Sequence, residues 1–130
     1  MITQDNVWNG DEGRHWAVHH ERYDEILRRF TPHLLEAAEV TEGGRVIDVG
    51  CGSGQTTCAV ARAARSGLAL GVDLSRALLD EARRRAAHEG LANVHFEQGD
   101  AQVHPSGEVS TGCPRCGPRR RAHSRWSPRP

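Results

Sequence analysis

The chain has 130 residues and a formal net charge of zero, its 17 basic residues all Arg and balanced by 17 Asp and Glu. That length suits one modest domain, and no apolar run approaches the about 20 residues a membrane span needs. The opening "MITQDNVWNG" has neither the basic nor the apolar stretch of an export signal, so a cytoplasmic protein with four free thiols is expected.

After this polar opening, "GRHWAVHHERYDEILRRF" places Trp16, Tyr23, Ile26, Leu27 and Phe30 at mostly helical spacing. Thr31-Pro32 fits an N-cap followed by proline at the first helical position, restarting a helix through Leu34, Leu35 and Ala38. "TEGG" breaks it. "RVIDVG" has the β-branched run of a short buried strand, and "QTTCAVARAARS" reads as an alanine-rich helix. "LALGVD" reads as a second strand. Ser75 then caps a helix over "RALLDEARRRAAHE", with Leu79, Ala82 and Ala86 on one face and Gly90 closing it. "NVHFEQGD" is a third short strand ending at Gly99-Asp100. Strands alternating with helices predict a doubly wound α/β fold with a parallel sheet.

The chain changes character near Pro105. Residues 1–104 hold 11 Arg against 16 Asp and Glu, a charge of −5, while residues 105–130 hold 6 Arg against Glu108 alone, a charge of +5. Five of the six prolines lie in the second segment, which contains no Leu, Ile, Phe, Tyr or Met. Residues 1–104 are therefore the body. Residues 105–130 form a basic Pro/Arg-rich tail expected to be irregular, because burial there cannot offset the entropy of ordering.

Gly50, Gly52 and Gly54 follow directly on the first strand. A glycine loop between strand and helix brings a ligand to the helix N-terminus, where free N–H groups and the dipole favour an anion. Asp73 ends the second strand 21 residues after Gly52, where a carboxylate accepts both hydroxyls of a ribose. A dinucleotide and S-adenosylmethionine fit equally well at this point. Spacing separates them: a dinucleotide loop has a small residue sixth, and Gln55 and Thr57 stand there instead.

Together "VIDVGCGSGQTT", "GVDLS" and "EQGDAQ" resemble the first three motifs of the class I S-adenosylmethionine-dependent methyltransferases, and "WNGDEGRHW" resembles small-molecule members near the ubiquinone and menaquinone group. The resemblance covers about residues 6–104. It implies a Rossmann-like fold, of which this chain supplies strands 1 to 3 of seven with preceding helices. It also implies the cofactor S-adenosylmethionine and a small-molecule methyl acceptor, with no nucleic acid and no membrane partner. Gly50, Gly52 and Gly54 would admit the methionine half, and Asp48 would contact its ammonium group. Asp73 would take the ribose hydroxyls, Leu74 would pack on the adenine, and Asp100 would accept from the adenine amino group beside the Ala101 backbone. None of these is a general base, and no catalytic residue is assigned; alignment and desolvation supply much of a methyl transfer.

Other features have plainer readings. Trp16, His19, His20 and Tyr23 either close over the cofactor or form a core stripe with solvated histidines. Cys51 and Cys58 are read as packing residues. Cys113 and Cys116 in "CPRC" supply two of the four ligands a zinc site needs, so no metal is expected. The arginine run after Pro118 is a weak nucleic-acid signal.

The family's fourth strand, announced by a Phe-Asp pair, is expected soon after "GDAQVHP", where this chain has its basic tail. Read from the third base of the Val109 codon, with a TCN codon for Ser110, the shifted frame has Phe-Asp-Arg-Val among its permitted translations, with Leu, His, Gly and Met permitted at the same positions. The tail is accordingly read as the out-of-frame end of a truncated methyltransferase, weakly active or inactive. Sequencing the coding DNA tests this, and a shifted frame without apolar strand and helix patterns counts against it. The rival readings are a non-catalytic cofactor-binding module and, disfavoured by Gln55 and Thr57, a nicotinamide-dependent oxidoreductase.

Overall fold

Three parallel strands organise the protein, seen in a computed structural model that describes residues 3–102. The tail, its "CPRC" motif, the reading-frame change and the boundary at residue 104 lie outside the described residues. Strands β1 (Arg45–Val49), β2 (Leu68–Asp73) and β3 (Val94–Gln98) lie in the order β1-β2-β3. Ile47 pairs with Leu70, and Leu70 with His95, so the three C-terminal ends finish level. Between them run α5 (Gln55–Ala63) and α6 (Arg76–His88), which touch each other and pack on the sheet. This is the parallel α/β unit that the alternating pattern predicts.

The core lies between these helices and the sheet. Cys58, Val60, Ala61, Ala69, Ala86 and Val94 are buried together there, with Val46 and Phe96 packed against them. Leu79 on α6 is 0% exposed, and full burial of such a side chain is worth about 1.5–3 kcal/mol. Burial follows sheet position. Central β2 is covered on both faces, as expected of a buried strand. Strand β1 departs from that expectation. Among the described residues it pairs with β2 alone, and Ile47 and Val49 are 44% and 55% exposed.

The helix ends follow side-chain chemistry. The Ser75 hydroxyl accepts from the Leu78 amide at 3.3 Å, the cap expected for α6. At the other end, Gly90 takes a φ of +65° and the Leu91 amide reaches back to the Ala86 carbonyl, closing the helix as a Schellman motif.

Four short helices precede the sheet: α1 (Gln4–Asn9), α2 (Asp11–Val18), α3 (His20–Arg28) and α4 (Thr31–Ala37). The polar opening is thus helical, capped by the Thr3 hydroxyl, and the single helix expected around Trp16 and Tyr23 breaks at His19. The cap expected at Thr31 belongs instead to Phe30. Thr31 is buried, and its hydroxyl is drawn to the Gln55 side chain at the start of α5. Among the described residues, no helix is long and apolar enough to cross a membrane.

Candidate functional site

A cleft of about 600 Å³ opens where the three strands end. Its floor is the loop after β1, the turn after β2 and the segment Gly99–Gln102 after β3; helices α1 to α3 form the facing wall. In parallel α/β sheets the C-terminal ends of the strands are where ligands bind, because the loops and helix N-termini gather there.

The glycine loop is held from below. Gly50 and Cys51 both donate to the Val72 carbonyl, at 2.8 and 3.1 Å, and Gly52 donates to Asp73 Oδ2 at 2.8 Å. Gly50 and Gly52 take φ values of +72° and +54°, and a Cβ on either would meet nothing within 4 Å. They are bare backbone beside open space. Gly54, at φ +79°, differs: its Cβ would come within 2.8 Å of Ala82 and 3.0 Å of the Phe96 ring. The structure gives Gly54 a packing task, seating the start of α5 against α6 and β3, and leaves it out of the cleft lining. Helix α5 has no side-chain cap, and Gln55 and Thr56 of its first turn border the cleft.

Two carboxylates flank this loop. Asp48 Oδ2 accepts from the Thr57 hydroxyl at 2.6 Å. Burial raises the Asp48 carboxyl above its ordinary 3.8, the Thr57 hydrogen bond opposes the rise, and nearby Asp73 adds to it. Asp73 accepts the Gly52 amide on one oxygen and the Ser75 amide, at 2.9 Å, on the other. Asp100 is exposed at the end of β3, with Oδ1 accepting from the Gln102 amide at 2.9 Å. Leu74 and Ala101 also line the cleft. Seven of the eight residues singled out in the sequence, all but Gly54, therefore share one cavity.

The wall contains Trp16, His20 and Tyr23. Trp16 and Tyr23 stack with centroids 3.8 Å apart, so the stripe packs on itself and borders the cleft at once. His19 lies outside the cavity lining, its ring 4.5 Å from that of His15. Cys51 and Cys58 are buried packing residues. Burial pushes the Cys58 thiol up to about 11, and burial, then Asp73 and Asp48, push Cys51 higher still. Among the described residues, no group of three or more His, Cys, Asp or Glu is placed to hold a metal.

Sequence reasoning missed the residues that fasten the wall to the floor. Asn9 donates to the Leu74 carbonyl at 2.9 Å and accepts from the Arg76 amide at 3.0 Å. Buried Asp24 on α3 accepts from the Ser53 hydroxyl at 3.1 Å and pairs with Arg85 of α6. His20 faces Asp24 and Glu81 with its two ring nitrogens, each 3.4 Å from a carboxylate oxygen. The readable signal was Asp24 itself, a carboxylate on the same helical face as His20 and Leu27.

A family profile described as "Methyltransferase domain" matches residues 40–111. Aklanonic acid methyltransferase DauC of Streptomyces sp. strain C5 is 34% identical over 86 residues, 62% of this chain and 39% of that protein. Among solved structures, coclaurine N-methyltransferase bound to N-methylheliamine and S-adenosylhomocysteine superposes with a TM-score of 0.56 at 25% identity, over 58% of this chain and 23% of that one. An RNA methyltransferase from Salinibacter ruber in complex with S-adenosylhomocysteine gives 0.57 at 30% identity, over 62% and 52%. The chain spans 39% or less of the length of the first curated relatives it matches. With a profile covering more than half of its residues and the matching sheet beneath it, the chain belongs to the class I methyltransferase-domain family.

Proposed function

We propose that the chain binds S-adenosylmethionine across the ends of β1, β2 and β3, as the cofactor-binding part of a methyltransferase acting on a small molecule. The carrying observation is the cradle itself. Gly50 and Gly52 adopt left-handed conformations beside open space, and Asp48 and Asp73 stand on either side of them. Left-handed backbone without a Cβ lets a ligand approach closely, and two carboxylates suit a ligand that carries ammonium and sulfonium charges.

When bound, S-adenosylmethionine supplies an electrophilic methyl carbon whose leaving group is a neutral thioether. The chain's own residues bind and orient. A carboxylate offers about four acceptor sites. Thr57 takes one on Asp48, leaving that group able to meet an ammonium. Asp73 takes one backbone amide on each oxygen and keeps capacity for the ribose hydroxyls. Asp100 would accept from the adenine amino group beside the Ala101 backbone, and Leu74 would cover the ring. Gly54 would serve by letting α5 begin with Gln55 and Thr56 at the cleft.

The relatives supporting a small-molecule acceptor are those whose names carry one, aklanonic acid and coclaurine. An RNA acceptor suits the body less well. Its 11 Arg against 16 acidic residues over 1–104 leave a charge of −5, and phosphate backbones are bound through clustered positive charge. Isothermal titration of the full chain tests the reading. Saturable binding of S-adenosylhomocysteine with none of NAD is the expected result; binding of NAD instead, or of neither, overturns it.

A further inference from the structure

Three elements distant in sequence meet at Ser53, between the two glycines that do different work. The Ser53 hydroxyl donates to Asp24 Oδ1 on α3 at 3.1 Å, and Arg85 of α6 donates through Nε to the Ser53 carbonyl at 3.1 Å. The same guanidinium, through Nη2, pairs with Asp24 Oδ2. Asp24 is 5% exposed and Ser53 8%. A carboxylate this buried needs a partner, since an unpaired buried charge is strongly destabilising. Packing alone does not explain the arrangement. Arg85 spends one donor on the charge and another on the loop's backbone, and Asp24 returns a bond to the loop's side chain. The triangle closes only with Ser53 in it.

We propose that Asp24 and Arg85 are positioning residues for the glycine loop, acting through Ser53 to fix the backbone from Gly52 to Gly54. The inference rests on reading that loop as the cofactor cradle. Without the triangle, the middle of the loop is held by the Gly52 amide on Asp73 and the Gly54 amide on the Cys51 carbonyl. The Ser53 carbonyl and hydroxyl would turn to water. The N-terminal helices thus have a task beyond covering the cleft: Asp24 carries the seat of α3 directly into the loop. Arginine is required by geometry, because its planar fork serves two acceptors at fixed angles and a lysine ammonium on a flexible stem does not.

Amide hydrogen exchange on the full chain, with Ser53→Ala and Arg85→Lys, tests this. Ser53→Ala leaves the Asp24–Arg85 pair intact, and Arg85→Lys keeps a positive charge beside Asp24, so both spare the buried charge its isolation. Exchange at the amides of Gly52 and Gly54 should quicken about three- to tenfold, the effect of one lost hydrogen bond, while β2 and the second half of α6 keep their rates. Affinity for S-adenosylhomocysteine should fall by a similar factor. Unchanged loop exchange overturns the proposal, as does a uniform rise across all protected amides, the mark of plain loss of stability. A wild-type chain that fails to bind S-adenosylhomocysteine sinks the cofactor reading alone, and loop exchange still decides this one.

Discussion

The Gly52 amide donates to the Asp73 carboxylate across 2.8 Å, although 21 residues separate the two. Asp73 is therefore part of the loop's support as well as a candidate ligand for the ribose. Its replacement has two effects that different measurements separate. Asp73→Ala removes charge-assisted hydrogen bonds to a bound ribose, each worth about 1.5–3 kcal/mol, so S-adenosylhomocysteine affinity should fall at least tenfold. It also removes the acceptor of the Gly52 and Ser75 amides, so the melting temperature should drop. Asp73→Asn keeps one carbonyl oxygen and should recover part of the stability with less of the affinity. Calorimetry and thermal melts read the two losses, and an Asp73→Ala chain that binds normally rules out the ribose assignment.

Asp48 gives the cleft a pH dependence. Its folded carboxyl is raised above 3.8, mainly by burial, so the native state holds that proton more tightly than the unfolded chain does. Its contribution to stability is fully present below 3.8 and is lost as pH rises through the folded value. Ligand binding runs the other way, because an ammonium is met by the ionised carboxylate. S-adenosylhomocysteine affinity should therefore climb as pH rises through the Asp48 titration. Thr57→Val removes the hydroxyl that favours the ionised form and should move that climb to higher pH. Asp48→Asn should flatten it and stabilise the unliganded chain at neutral pH. A pH-independent affinity in the wild type would remove Asp48 from the ammonium site.

Gly50 and Gly54 of the loop should separate under substitution. Gly50→Ala puts a Cβ into open space, so its cost is the left-handed backbone alone, about 1–2 kcal/mol, with a larger loss of cofactor affinity. Gly54→Ala adds an overlap with Ala82 and Phe96 to the same backbone penalty and should destabilise the fold more than Gly50→Ala does. Urea denaturation alongside calorimetry checks the division. Equal stability losses at the two positions would mean that Gly54 is not the packing glycine.

The legible parts of this protein were those written in local sequence. The β-branched run of β1, the alanine-rich α5, the Ser75 cap and the Gly90 stop each depend on residues within a turn or two. The carboxylates Asp48, Asp73 and Asp100 were also legible, since in a parallel α/β unit the end of every strand comes to one edge. What stayed hidden depends on tertiary packing. Arg85 lies 61 residues from Asp24 and Asn9 65 from Leu74, and nothing local marks either as a partner. The open edge of β1 was legible, because no fourth-strand pattern follows "GDAQVHP" in the sequence; the exposure of Ile47 and Val49 was not, because both suit a buried strand whether or not a neighbour covers them. The polar opening concealed a helix because the Thr3 cap and the docking of Asn9 hold α1 where its composition does not.

Asn9 supplies the last test, at the turn after β2. Its amide nitrogen donates to the Leu74 carbonyl at 2.9 Å, and Gln98 donates to that same carbonyl, also at 2.9 Å. Gln98 in turn reaches Asn9 Oδ1 at 3.3 Å, closing a small ring of amides around the turn between Asp73 and Ser75. Either side chain alone can keep the Leu74 carbonyl bonded, so each single alanine substitution should cost about 0.5–1.5 kcal/mol of stability. Asn9→Ala alone unties α1 from the Leu74 carbonyl and the Arg76 amide, and removing both side chains also leaves that carbonyl to water. The double variant should therefore lose more than the sum of the singles, by at least about 0.5 kcal/mol of coupling. S-adenosylhomocysteine affinity should follow the same pattern, falling modestly in the singles and sharply in the double, because Leu74 sits on that turn. Additive losses in a double-mutant cycle followed by urea denaturation would show that the two amides act independently and that the turn is held by Asp73 alone.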